Sequence, residues 1–240
     1  MGKPHRPLFE AALERAGGGR PLVVGDRIDT DIAGAAEMGW DSLLVFTRVA
    51  TPTDLVRADH LPTSAANDLS ALTRETPPSV HPATGGYAGA VERLLRNSGL
   101  DAEGVGGRLA DTLIAVTEAD SIVGTVALEH FGPVAHLRSL AVDPHARGAY
   151  VGTLLCAHAV REARTRGARK IYAVTETAAG FFEDLGFDRS GTRESVPEPI
   201  AATPLIRDQC AAGAVVLRLD LEGAAGTGAR PDGAATEPTR

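Results

Sequence analysis

Cysteine is scarce in this chain of 240 residues: Cys156 and Cys210 are the only two. They show neither Cys-x-x-Cys nor Cys/His ligand spacing, which argues against a disulfide framework or a zinc knuckle and fits a reduced, cytoplasmic setting. Positive charge is not in excess either, since 24 Lys and Arg face 31 Asp and Glu for a net charge of −7. A duplex-binding surface needs a basic patch, so nucleic acid is not an expected partner. No apolar run approaches the ~18–20 residues needed to cross a bilayer, so a membrane is not an expected partner. The opening MGKPHRPLFEAALERAGGG lacks the apolar stretch and small-residue cleavage site of a signal peptide. No internal repeat is visible. What is present is 43% apolar residues, enough to bury a real core in two compact domains.

Composition divides the chain. In residues 1–74 a helical run, Arg6–Ala16, closes at Gly17–Gly19, and a short apolar strand, Pro21–Val24, ends at Gly25-Asp26. Thr30–Met38 reads as a helix, Ser42–Phe46 as a strand, and Thr51-Pro52 as an N-cap with proline at the first helical position. Alternating strands and helices predict an α/β unit with a parallel sheet. Residues 75–86, ETPPSVHPATGG, read as a linker. Residues 87–222 alternate again, with strands over Leu113–Thr117, Ile122–Glu129, Ala135–Val142, Lys170–Thr175 and Ala214–Leu221. Helices are expected over Tyr150–Arg166, closed by Gly167, and Thr177–Leu185, closed by Gly186. The tail, residues 223–240, is small, polar and broken by Pro and Gly, and is expected to be disordered.

The segment LRSLAVDPHARGAYVGTLL, residues 137–155, carries the chemistry. An apolar strand runs into a loop holding Arg147-Gly148, and a helix opens near Gly152. The first amides of a helix have no intrahelical acceptor and sit at the positive end of its dipole. Glycine admits an anion close to the backbone and arginine adds a cation, which suits a pyrophosphate. Taken alone, the segment reads better as an ordinary strand–turn–helix connection.

The second strand, KIYAVT, and the run AAGFFEDLGF, residues 178–187, follow in order. This arrangement resembles the GNAT superfamily of N-acetyltransferases. Its loop Arg/Gln-x-x-Gly-x-Gly/Ala is matched by Arg147-Gly148-Ala149-Tyr150-Val151-Gly152, and its (Phe/Tyr)-Glu-x-x-Gly-Phe signature by Phe182-Glu183-Asp184-Leu185-Gly186-Phe187. The resemblance implies an α+β domain with a central mixed sheet and acetyl-CoA as cofactor. The pantetheine would pair with backbone groups of Leu140, Ala141 and Val142 on a strand that splays from its neighbour. The pyrophosphate would sit on amides of Arg147, Gly148, Ala149, Tyr150, Val151, Gly152 and Thr153. LEHFG, LRSLAV, TAAGFFEDLGF and VPEPIAATPLIRDQCAAGAVVLRL look like the branch associated with arsenic-resistance operons. Two residues depart from the common pattern: Tyr150 stands where the loop usually has its middle glycine, and Phe182 where many members place a proton-donating tyrosine.

Acetyl transfer needs a neutral amine, and Glu129, at a strand end, is the expected base; it reads equally as a solvated carboxylate. Arg138 reads first as a surface ion pair, with an acidic acceptor as the other reading. The expected partners are a small-molecule, amino-acid-like amine and a second copy of the chain in a homodimer.

Gly2-Lys3-Pro4 and Gly25-Asp26-Arg27-Ile28-Asp29-Thr30-Asp31 resemble the last two motifs of haloacid-dehalogenase (HAD) phosphatases acting on small sugar or glycerol phosphates. The resemblance implies a partial HAD-like, Rossmannoid sheet over 1–74. Lys3 would be a phosphate-binding remnant, and Asp26 and Asp31 a vestigial Mg²⁺ site. HAD chemistry needs an aspartate nucleophile in a strand-Asp-x-Asp segment, and the only Asp-x-Asp here is Asp29-Thr30-Asp31, inside the metal motif. Phosphatase activity is therefore not expected from this chain alone. A start at an internal Met of a longer phosphatase–GNAT fusion would account for the half domain. Its uncovered face would dock on the GNAT domain or on another chain, or stay loosely folded. Three readings follow: an acetyltransferase, a non-catalytic GNAT-like scaffold or regulatory module attached to a phosphatase, and a phosphatase fragment.

Overall fold

The structure, a computed structural model, describes residues 2–73, 76–211 and 213–221, so the tail expected over 223–240 lies outside the described residues. The first region runs α1 (Arg6–Arg15), β1 (Leu22–Gly25), α2 (Ala33–Met38), β2 (Asp41–Val45), α3 (Pro52–Arg57) and β3 (Ser64–Ala66). Its strands form a parallel sheet in the order β1-β2-β3, as the alternation predicted. The helix expected over Thr30–Met38 is split: a wider π-type turn, Ile28–Ile32, precedes α2. α3 starts where it does because Thr51 and Asp54 cap each other. The Asp54 amide donates to Thr51 Oγ1 at 3.2 Å and the Thr51 amide to the Asp54 carboxylate at 2.9 Å.

The second region holds β4 (Ser79–Pro82), α4 (Ala88–Asn97), β5 (Thr112–Val116), β6 (Ile122–Phe131) and β7 (Val134–Val142). It continues with α5 (Val151–Thr165), β8 (Lys170–Thr175), α6 (Ala179–Asp184), β9 (Asp188–Thr192), α7 (Glu198–Ala201) and β10 (Val215–Asp220). The seven strands form one mixed sheet, β4-β5-β6-β7-β8-β10-β9, in which β7 and β8 run parallel. One expectation is corrected here. The span 75–86 is not only a linker, because Ser79–Pro82 pairs antiparallel with β5, Ser79 opposite Val116. Pro82 fits because β4 is an edge strand, where a missing amide leaves no ladder bond unmade.

The two regions share a core. Leu154, Leu155 and Val160 of α5 pack with Val126, Leu128, Leu137 and Ile171 of the large sheet. Ile32, Leu44, Leu55, Val56 and Ala65 of the first region join the same cluster. Thr53 Oγ1 donates to the Asp184 carbonyl at 2.9 Å and the Arg164 guanidinium to the Arg57 carbonyl at 3.0 Å. One face of the small parallel sheet is therefore covered by the second region of its own chain. Among the described residues, no helix is long and apolar enough to cross a membrane.

Candidate active site

The site begins where two parallel strands part. β7 pairs with β8 from Val134 opposite Lys170 to Leu137 opposite Ala173, and there the pairing stops although β7 runs on to Val142. The cause is local. The β6–β7 register slips between Thr125 and Ala127, and opposite the slip Ser139 takes a left-handed φ of 54°. Such a bulge bends its strand and re-aims it. A cavity of about 740 Å³ opens in the gap, lined by 137–142 of β7, 173–175 of β8, Phe181 and Phe182 of α6, and the loop and first turn leading into α5.

The donor-binding residues anticipated from the sequence gather here. Leu140, Ala141, Val142, Arg147, Gly148, Tyr150, Val151, Gly152 and Thr153 all line this cavity; Ala149 lines a neighbouring hollow of about 300 Å³ instead. Tyr150 makes no side-chain cap for α5, so the opening amides of the helix are left for a ligand. The Arg147 Nε donates to the Val142 carbonyl at 3.2 Å, which ties the loop back to the end of β7.

Tyr150 has a φ of 57°, two residues after Gly148 at 77°. For a non-glycine residue the left-handed region costs roughly 1–2 kcal/mol. The Tyr150 ring meets Phe46 of the first region with centroids 4.0 Å apart and planes tilted by 34°. A ring pair of this kind contributes roughly 0.5–1.5 kcal/mol beyond its buried area, so it offsets much of that cost. The ring that replaces a glycine is thus engaged by the neighbouring region.

At the other end of the cavity, β6 and β7 place Glu129 opposite His136, with Arg138 diagonal on the same face. The Arg138 Nε lies 2.7 Å from Glu129 Oε1, and His136 Nδ1 lies 3.6 Å from Oε2. Arg138 is 8% exposed and lines the cavity, whereas Glu129 is not among the lining residues. Burial alone would raise the Glu129 carboxyl; His136 and Arg138 outweigh it and hold its pKa below the ordinary carboxylate value. A carboxylate so stabilised is a weak base, and this geometry suits Glu129 to orienting Arg138. Phe182 is buried, lines the cavity and carries no proton to donate.

In the first region Lys3 Nζ sits 2.7 Å from the Asp31 carboxylate, which is buried against Gly25. A Cβ on Gly25 would stand 2.2 Å from Asp31 Oδ2, so only glycine admits that acid. Asp26 accepts from Thr47 Oγ1 at 3.4 Å. Mg²⁺ takes six oxygen ligands and keeps several waters, so Asp26 and Asp31, the latter paired with Lys3, would supply only part of its site. Among the described residues no group of three or more His, Cys, Asp or Glu could hold a metal.

Comparison with known proteins agrees region by region. A HAD-hydrolase-like family model matches residues 1–72, and the model of the acetyltransferase (GNAT) family matches residues 87–187. The D-glycerol 3-phosphate phosphatase of Mycobacterium tuberculosis is 42% identical over 77 residues, covering 31% of this chain and 22% of the relative. The chain thus spans about a fifth of the length of that curated relative. Among solved structures, N-acetylglutamate synthase from Neisseria gonorrhoeae, complexed with coenzyme A and N-acetyl-glutamate, is similar with a TM-score of 0.54 at 20% identity, over 80% of this chain and 45% of that one. A Mycobacterium tuberculosis protein in complex with CoA is similar with a TM-score of 0.50 at 18% identity, over 60% of this chain and 99% of that one. At these identities the structural likeness shows the fold alone. The chain joins a HAD-hydrolase-like region to an acetyltransferase domain of the GNAT family.

Proposed function

We propose that this chain is an acyl-CoA-dependent N-acetyltransferase that passes acetyl from acetyl-CoA to a small, amino-acid-like amine. The single observation that supports it most is the parting of β7 from β8 directly beside the uncapped start of α5. Backbone groups along the open side of β7, at Leu140, Ala141 and Val142, suit the amides of a pantetheine arm. The opening amides of α5, with Arg147 beside them, suit a diphosphate.

Acetyl-CoA brings an activated acyl carbon; the rest is done by the protein. Amides on the free edge of β7 would polarise the thioester carbonyl as negative charge develops on its oxygen. The amine lone pair attacks the carbonyl carbon, a C–N bond forms and the C–S bond breaks. The proton shed by the amine passes through water to the departing thiolate, since Phe182 has none to give. The Arg138 guanidinium, fixed by Glu129 and lining the cavity, suits an acceptor that carries a carboxylate. Neither Mg²⁺ chemistry nor phosphatase activity is proposed for the first region by itself, and the homodimer expected from sequence stays a proposal, tested by light scattering.

Calorimetric titration of the full chain with acetyl-CoA, followed by thiol release over a panel of amino acids, tests the reading. Micromolar binding with acceptor-dependent thiol release is expected. The buried Phe182 and the commitment of Glu129 to Arg138 favour one other reading, a donor-binding module that transfers nothing, and binding without thiol release under any acceptor would establish that instead.

Glu129→Gln separates the two roles open to this carboxylate. As the orienter of Arg138 its loss should raise the KM for a carboxylate-bearing acceptor about tenfold, roughly one charge-assisted hydrogen bond, with the pH profile of kcat unmoved. A shifted pH profile with unchanged KM would restore it as the base.

A further inference from the structure

The HAD-like region does more than pack against the acetyltransferase domain: it reaches the coenzyme loop itself. The side-chain amide of Asn67, one residue beyond β3, donates to the Gly148 carbonyl at 2.9 Å, and Asn67 lines the large cavity alongside Arg147 and Gly148. Phe46, one residue beyond β2, carries the ring on which Tyr150 rests. Both residues sit at the carboxyl ends of parallel strands, the end of an open α/β sheet that carries its ligand sites. Here that end is turned to the loop between β7 and α5.

We propose that Asn67 and Phe46 are positioning residues for the acetyl donor. They hold residues 147–150 in the conformation that presents the first amides of α5 to the diphosphate. This rests on the acetyl-CoA reading above. Gly148 and Tyr150 both lie in the left-handed region, and a loop of that shape relaxes unless something outside it fixes its carbonyls and its ring. Asn67 fixes the carbonyl of the first and Phe46 the ring of the second. Both holdings come from the neighbouring region; α5 adds the first-turn bond from the Leu154 amide to the Tyr150 carbonyl at 2.9 Å, and Tyr150 makes no side-chain cap.

The test uses the full chain. Asn67 is exposed, so Asn67→Ala leaves the core intact; Phe46→Leu keeps apolar bulk while removing the ring. In each variant, hydrogen exchange at the amides of 147–153 is followed without ligand, and acetyl-CoA binding by calorimetry. Exchange several-fold faster than in the parent is expected, with a Kd for acetyl-CoA about fivefold weaker, the worth of one neutral hydrogen bond. The melting temperature and the KM for the acceptor should stay unchanged in Asn67→Ala. On a Tyr150→Gly background, Phe46→Leu should add nothing. Unaltered loop exchange and unaltered Kd in Asn67→Ala, in a parent chain that binds acetyl-CoA, overturn the proposal. A parent chain that binds none overturns the donor reading, and loop exchange in Asn67→Ala then still decides whether the HAD-like region holds the loop.

Discussion

Gly152→Asp is expected to weaken acetyl-CoA binding at least ~100-fold while leaving the chain folded. Gly152 lies in the first turn of α5, on the wall of the cavity. Two unit charges about 4 Å apart repel by about 4 kcal/mol at the effective dielectric near a protein surface, which is about three decades in affinity. Solvent around the open cavity screens part of this, hence the lower figure. Space adds to the effect, because a Cβ at Gly152 stands 3.2 Å from the Phe181 ring. Gly152→Ala, which keeps that crowding without the charge, should lose far less. Calorimetry on both variants gives the answer, and a Gly152→Asp chain that binds within fivefold of the parent would remove the diphosphate from this helix start.

The second large effect concerns the join. Leu55→Ala is expected to cost roughly 2–5 kcal/mol, the range for deleting a fully buried leucine side chain. Leu55 is wholly buried and belongs to the cluster that contains Leu155 and Val160 of α5. Because one cluster spans both regions, the whole loss should appear in a single urea transition that moves to lower concentration with its slope unchanged. If a separate minor transition moved while the main one stayed fixed, the two regions would be independent folding units and the shared core would not be cooperative.

Much of this fold can be read from the sequence wherever pattern and burial agree. Lys170–Thr175 has the same bounds in sequence and structure because it is a short apolar run flanked by Gly167 and a Thr-rich turn. α3 announces itself through Thr51 and Pro52. β4 was hidden because a strand of four residues with a proline in it looks like a linker until an edge is there to receive it. β3 has three residues and β9 is the polar run DRSGT, mostly exposed, so neither has an apolar alternation to recognise. For the site, the loop and the cavity-facing strand are expected from the resemblance to GNAT motifs in their element order, not from the loop residues alone. Arg138 reads from sequence first as a surface ion pair, and only the β6–β7 register shows it buried against Glu129 and facing the cavity. Phe46 and Asn67 carry no signal at all, since their importance arises from the docking of two regions far apart in sequence.

The contact between Tyr150 and Phe46 bears on how such a chain can be assembled by gene shuffling. An acetyltransferase domain carrying this tyrosine, recombined behind an unrelated upstream module, would keep the left-handed backbone at φ 57° but lose the ring that compensates it. Glycine at 150 would then be the cheaper residue, since it takes that conformation without penalty. A tyrosine at this position therefore fits best where the upstream module already rests against the loop, and it makes later exchange of that module costly by roughly 1–2 kcal/mol.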